Sequence, residues 1–265
     1  MWSGLKIKLV RQVSLSRKCT PNESLLALLS VTLHDYLTKK SRGKYSQNLY
    51  KVPEKVVVGV PYSHRRSRTR IENVSIQNQL VMVPFELPVM PDFKKAQKEV
   101  SIRMDRLKLT FDPQAHYYAT MAGLSVPNSF QLLRFLNSAT LCSFQNVWAS
   151  KIRFELMKKP LLNHFILSAP PNLDKIGLNF SISTVGQVTS LVICSDSAFV
   201  SNPSELMDMF KKRYEAGIEQ DVSISREQMQ NVISQFSRAR LQQMREQQAE
   251  TAAEEAREAR SSDSD

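Results

Sequence analysis

The 265-residue sequence predicts an α/β protein in the broad sense, an α+β two-layer fold in which a mixed sheet carries helices on one side. Three observations lead there. Apolar runs of strand length recur at Val56–Val60, Leu80–Leu87, Thr140–Val147, His164–Ala169, Gly177–Ser183 and Val188–Ser195. Longer stretches between and around them repeat their apolar residues at the helical period. Hydrophobic residues make up 42% of the chain, with 7 glycines and 12 prolines spread through it, which suffices for one large or two small cores and argues against a disordered polymer.

The first twenty residues contain Lys6, Lys8, Arg11, Arg17 and Lys18 and no acid. Trp2, Leu5, Leu9 and Val13 fall on one helical face, as in a mitochondrial transit peptide. Against targeting, apolar and basic residues alternate from Leu5 to Val10 with the period of a half-buried strand, and residues 1–20 are read as a basic N-terminal segment. A helix opens at Pro21 and Asn22, with Asn22 expected to cap its free amides, and runs through Leu25, Leu26, Leu28, Leu29, Leu33 and Leu37. Its apolar stripe is wide enough to require burial.

After a Lys-rich loop over residues 38–51, Val56–Val60 reads as an interior strand ending at Pro61, and Ser63–Arg70 as a basic loop. Pro84 makes the Leu80–Leu87 strand an edge or bulged one. From Pro91 to Leu109, Phe93, Ala96, Val100, Met104 and Leu107 define the inner face of an amphipathic helix, with Lys94, Lys95, Lys98 and Arg103 outside. Gln114–Ala139 is helical with an interruption around Gly123 and Pro127. Gly186-Gln187 supplies a hairpin turn between the last two strands, and Ser204–Ala216 one more helix. The domain is thus expected over residues 21–220. Beyond it, Met229, Val232, Ile233 and Phe236 form a brief stripe before a Gln/Glu/Arg/Ala-rich stretch, so residues 221–265 read as a helical, charged tail.

The net charge of +11 is concentrated at one end: residues 1–70 hold 15 Lys/Arg against 3 Asp/Glu, the remainder 21 against 22. Such an excess suits nucleic acid, an anionic lipid surface or a phosphate-bearing ligand. No run of 18 apolar residues exists to cross a membrane as a helix, so any membrane contact is expected to be peripheral. Cys19, Cys142 and Cys194 lie far apart with no C-x-x-C pair, which points to a reduced, intracellular setting and to apolar filler roles for the latter two.

Walker, G-x-G-x-x-G and G-x-S-x-G motifs are absent, and His34, His64, His116 and His164 stand singly, so no metal site or catalytic residue is assigned. Arg65, Arg66, Arg68 and Arg70 form the densest basic cluster, either a solvated loop or a binder of phosphate or RNA. RNA modules interleave stacking aromatics with such arginines, and only Tyr62 is near, so RNA is the weaker alternative; DNA has no support.

The order of these segments resembles the C-terminal half of the wax ester synthase/diacylglycerol acyltransferase family, a branch of the CoA-dependent acyltransferases related to chloramphenicol acetyltransferase and condensation domains. Pro21-Asn22-Glu23-Ser24-Leu25-Leu26 is similar to the family's T-V-N-D and apolar helix, with Glu23 for the aspartate. Val60-Pro61-Tyr62-Ser63-His64-Arg65 matches V-P-x-S-x-R, and Gln77-Asn78 stands for G-N before a strand to Leu87-Pro88. Phe93–Lys108 resembles the lysine-bearing helix, and Gln145-Asn146-Val147 the S-N-V-P-G-P strand end, although Trp148-Ala149-Ser150 replace its prolines and glycine. The final hairpin, with an aspartate after it, is similar to Gly177–Asp196. The resemblance covers about residues 15–220.

It implies a chloramphenicol-acetyltransferase-like lobe that forms one wall of an acyl and CoA tunnel. Asn22, Asn78 and Asn146 would hold that wall, where asparagines also serve as caps and turn residues, and Arg65 and Arg66 would meet CoA phosphates. Acyl-CoA enters as substrate and no cofactor is implied. The acceptor would be a fatty alcohol or diacylglycerol, at the cytoplasmic face of the endoplasmic reticulum or a lipid droplet, with mitochondria as the lesser option. In the family the base is the second histidine of H-H-x-x-x-D-G, placed upstream of this lobe, and no two histidines adjoin here. The expectation is therefore a lobe inactive by itself, from a truncated reading or beside a separate N-terminal lobe, with a non-catalytic lipid or acyl-CoA binder, or a basic scaffold, as alternatives.

Overall fold

In a computed structural model, residues 1–41, 51–63, 80–124, 140–150, 155–156, 159–160, 177–186 and 188–219 are described. Their order is α1 (Ile7–Ser16), α2 (Pro21–Ser41), β1 (Lys55–Ser63), β2 (Leu80–Pro88), α3 (Phe93–Leu109), α4 (Asp112–Leu124), β3 (Cys142–Ser150), the two-residue strands β4 (Glu155–Leu156) and β5 (Lys159–Pro160), β6 (Leu178–Val185), β7 (Val188–Ser195) and α5 (Pro203–Tyr214), which tightens into a short π turn over Glu215–Glu219.

Five strands make one mixed sheet in the order β2-β1-β3-β6-β7. The central three run parallel, and β2 and β7 return antiparallel at the two edges. Pro84, opposite Gly59, is tolerated because β2 is an edge strand whose outer side needs no ladder donor. Gly186 adopts φ 59° in the two-residue link between β6 and β7, the left-handed conformation that such tight hairpins require. At the far edge, Trp2 exchanges both backbone hydrogen bonds with Leu191, at 2.8 and 2.7 Å, and so covers part of the open side of β7. The small β4–β5 ribbon has no counterpart in the sequence reading.

The two faces of the sheet differ. On one, Val56, Val58, Val60, Phe85, Leu87, Cys142, Phe144, Leu178, Phe180, Ile182, Leu191 and Ile193 share a single apolar cluster with α1, α2, α3 and α5. This is the helix-packed side. The opposite face of β3 and β6 is polar yet buried: Ser143 Oγ donates to Asn179 Oδ1 at 2.6 Å, and Asn179 Nδ2 donates to Ser181 Oγ at 3.2 Å. Both faces of β6 are consequently inaccessible to water, which explains a strand without simple in/out alternation.

Helix α2 is the central member of the helical layer, with Leu25, Leu26, Ala27, Leu28 and Leu29 all fully buried. A helix apolar nearly all round must be covered on several sides, and α1, α3 and α5 provide that cover. The strand expected at Leu5–Val10 does not form. Ile7, Val10, Val13 and Ser14 instead occupy one face of α1 and join the same core. Over six residues the period-2 and period-3.6 patterns coexist, and the contact with α2 selects the helix.

A buried polar chain ties three helices together: Ser14 Oγ lies 2.6 Å from Ser24 Oγ, to which Gln97 Nε2 donates at 2.6 Å. On the other flank, Arg213 of α5 grips Asp35 of α2 in a bidentate pair at 2.6 and 2.7 Å. Burial raises the Asp35 carboxyl, but the hydrogen bonds and charge of Arg213, with His34 behind, more than offset this and leave it below the usual value.

His164–Ala169, the second half of the helix anticipated over 114–139 and the tail from residue 220 lie outside the described residues.

Because the folded-state pKa of Asp35 is depressed, its contribution is present above the ordinary aspartate pKa and is lost as pH falls through the depressed value. Asp35→Asn should cost about 1–3 kcal/mol at neutral pH, as expected for hydrogen bonds to a charged group. In urea titrations the difference from the parent should shrink as the pH is taken below about 4; a difference independent of pH would remove the ion pair as its cause.

Candidate functional site

The first turn of α2 is built by Thr20 and Glu23. Glu23 Oε2 accepts from the Thr20 amide at 2.9 Å, and the Glu23 amide donates to Thr20 Oγ1 at 3.3 Å. This is a reciprocal capping box with Pro21 at the first helical position, where its missing N–H costs nothing. Asn22 is therefore not the cap expected from the sequence. Its side chain is left to point away from the helix, and Asn22 Oδ1 accepts a hydrogen bond from Asn146 Nδ2 at 2.5 Å. Two of the three asparagines singled out in the sequence thus meet, 124 residues apart.

Glu23 is 2% exposed, and its carboxylate is compensated from α3: Lys108 Nζ donates to Oε1 at 2.9 Å and Ser101 Oγ to Oε2 at 3.1 Å. Burial acts to lower the Lys108 pKa, but the hydrogen bond and charge of Glu23, helped by Asp105, prevail and raise it. Neighbouring residues of one helical turn therefore hold two partners. Asn22 holds β3, and Glu23 holds α3.

Asn146 lies towards the carboxyl end of β3, on the helix-facing side with Phe144. Since β1, β3 and β6 are parallel, Ser63, Ser150 and Val185 mark the same end of the sheet. That is where open α/β sheets place ligands, because loops and helix amino termini converge there. Asn146 Oδ1 is buried without a hydrogen-bond partner, an acceptor held open at this end of the sheet.

β3 continues past Val147 and stays paired with β6 to Ser150, with an irregularity between Trp148 and Ser150. Trp148 is 40% exposed and receives the Arg11 guanidinium over its ring at 3.9 Å. Beside them opens a groove of about 690 Å³, lined by Leu5, Ile7, Leu9, Trp148, Val188 and Thr189 and rimmed by Lys6, Lys8 and Arg11.

Arg65, Arg66 and Asn78 lie outside the described residues, as do His64 and His164. His34 sits twelve residues beyond Asn22 on α2, about 18 Å along the helix axis at ~1.5 Å per residue, and cannot serve chemistry at the Asn22–Asn146 contact. His116 belongs to α4. The thiols are no better suited as nucleophiles: burial raises the pKa of Cys19, Cys142 and Cys194, Cys142 most of all. The sequence reading missed the partners of Glu23. The Thr20-x-x-Glu23 spacing signals the capping box, but nothing local signals that Lys108, 85 residues away, completes it.

A double-mutant cycle should find Asn22→Ala and Asn146→Ala coupled by about 1 kcal/mol in urea unfolding, the usual worth of one side-chain hydrogen bond. Strict additivity would show that the two amides do not bond. Glu23→Gln should be worse than either, by about 1–3 kcal/mol, because it strands Lys108 beside a neutral amide.

Among solved structures, the chain is similar to a wax ester synthase/diacylglycerol acyltransferase from Marinobacter aquaeolei VT8, with TM-score 0.54 and 12% identity, over 83% of this chain and 48% of that one. It is also similar to a condensation domain described in chain release from the enacyloxin polyketide synthase, with TM-score 0.50 and 13% identity, over 84% of this chain and 41% of that one. At such identities the likeness shows the fold, that of the CoA-dependent acyltransferases and condensation domains. The chain spans about half the length of these structures. No curated protein matches by sequence. The profile of the WS/DGAT C-terminal domain matches residues 76–216, just over half of the chain. This chain belongs to the WS/DGAT C-terminal domain family.

Proposed function

We propose that this chain is the C-terminal wall of an acyl-CoA-dependent O-acyltransferase cleft, acting with an N-terminal lobe that supplies the catalytic base. The observation that carries this reading is the Asn22–Asn146 contact, which joins two separated family-like segments at the carboxyl end of the parallel strands. Ester formation requires an alcohol oxygen to attack the thioester carbon. The C–O bond forms, the C–S bond breaks, and the alcohol proton passes through a base to the departing CoA thiolate. A base must stand within hydrogen-bond reach of that hydroxyl. No two histidines adjoin in the 265 residues, and His34 lies about 18 Å along α2 from Asn22 at ~1.5 Å per residue.

On this reading the chain's own residues position rather than abstract. Asn146 Oδ1, unpartnered, accepts from an amide N–H of the pantetheine arm or from the acceptor hydroxyl. The groove beside Trp148 takes the acyl chain, because burying methylene groups against Leu5, Ile7, Leu9 and Val188 is favourable at about 0.8 kcal/mol per CH₂. The substrates are a long-chain acyl-CoA and a fatty alcohol or diacylglycerol. The basic rim of Lys6, Lys8 and Arg11 suits the cytoplasmic face of a membrane or lipid droplet; no described helix is long and apolar enough to cross one.

Purified alone, the chain should bind long-chain acyl-CoA and form no ester with hexadecanol or diacylglycerol. Ester should appear when a chain bearing the histidine motif is added, and Trp148→Ala should weaken acyl-CoA binding while sparing CoA. Rapid esterification by the 265 residues alone would overturn the division of labour. Binding that never leads to transfer, even with the second lobe, would favour a non-catalytic acyl-CoA binder.

A further inference from the structure

The groove beside Trp148 lies close to the point where the described residues end. At the last residue of α5, Tyr214 Oη accepts a hydrogen bond from the Lys6 amide at 3.0 Å, and Lys6 lines the groove. The π turn that follows packs against α1 with Ile218 fully buried. A Cβ on Gly217 would meet the Phe93 ring at 3.0 Å, and that ring lies 5.3 Å from the Arg17 guanidinium, just beyond the other end of α1. The chain therefore leaves α5 along α1, a ten-residue helix about 15 Å long at ~1.5 Å per residue. It departs within a helix length of the groove.

The sequence continues for 46 residues beyond Glu219. Nine of them, 220–228, span about 17 Å as a flexible linker. They lead to Met229, Val232, Ile233 and Phe236, at positions i, i+3, i+4 and i+7, the spacing with which a helix anchors in an apolar groove. No residue from Met229 to Phe236 is charged, and the groove floor of Leu5, Ile7, Leu9, Trp148 and Val188 is equally apolar. Charges match as well: the rim carries Lys6, Lys8 and Arg11, whereas residues 246–265 hold seven acids against two arginines. Tethering decides between occupants. A segment linked this closely acts at an effective concentration of about 1 mM, which a second copy at ordinary protein concentrations does not reach.

We propose that this groove is the docking site of the chain's own residues 229–236, with their apolar positions against Leu9, Trp148 and Val188 and the acidic end of the chain over Lys8 and Arg11. The docking itself does not depend on the acyltransferase reading. Its consequence, that the segment competes with the acyl chain for the groove, rests on that reading.

The test uses the full chain and two variants of it, Val232→Asp with Phe236→Asp, and Val232→Ile with Phe236→Leu. Trp2 and Trp148 are the chain's two tryptophans, and Trp2 packs against Phe210 and Tyr214, so a change in acrylamide quenching reports Trp148. The aspartate variant should show raised quenching and loss of the zero-length carbodiimide cross-links that join Lys8 to residues 246–265 in the parent. It should also bind long-chain acyl-CoA about tenfold more tightly, because the competing segment is released. The conservative variant should behave as the parent does. Equal quenching and equal cross-links in the parent and the aspartate variant would overturn the docking. Cross-links confined to isotopically distinct chains, in a species that sediments as a dimer, would overturn it in favour of a second copy. An aspartate variant that loses only its sedimentation with phosphatidylserine vesicles would overturn it in favour of a lipid surface. Raised quenching and lost cross-links with acyl-CoA affinity unmoved would leave the docking standing and remove the acyl chain from this groove.

Discussion

Glu23 carries a carboxylate into a place that water does not reach, at the first turn of a helix that is itself apolar on nearly every side. Such a group is tolerated only when each oxygen is met by a donor, and it is: by the Thr20 amide, Ser101 and Lys108. The compensation fixes more than a charge. It sets where α2 begins, it binds α3 to that beginning, and through the capping box it releases Asn22 from the task of capping. The asparagine contact at the sheet end depends on that release.

The sheet is organised by the same division between apolar and polar burial. Its helix-facing side is a continuous hydrocarbon core, whereas Ser143, Asn179 and Ser181 on the other side are hydrogen-bonded to one another. Buried hydroxyls and amides satisfied in this way fix strand register, because a one-residue slip would carry them into the core and break the pairing. A well-registered β3 is what brings Asn146 to the level of Asn22.

Trp148 shows how a departure from a family pattern is absorbed. Without prolines to end it, β3 continues alongside β6, and an exposed indole is stabilised by Arg11 stacked upon it. The first helix thereby acquires a role at the carboxyl end of the parallel strands as well as in the core, and the groove between them is walled by both. The basic residues of α1 that look like an excess of charge in sequence become the rim of an apolar channel.

The sequence alone settled the mixed sheet with Pro84 in an edge strand, the buried helix from Pro21, the amphipathic helix from Phe93, the hairpin at Gly186 and the family-like order of motifs. These are local matters, fixed by side-chain period, backbone preference at proline and glycine, and adjacency in the chain. Only the tertiary structure decided that Leu5–Val10 coils rather than extends, since two periods fit six residues equally well and the neighbour chooses between them. It alone brought Asn22 to Asn146, Glu23 to Lys108 and Arg17 to the lysines of α3, because partners separated by some eighty to one hundred and twenty residues leave no periodic trace of their pairing.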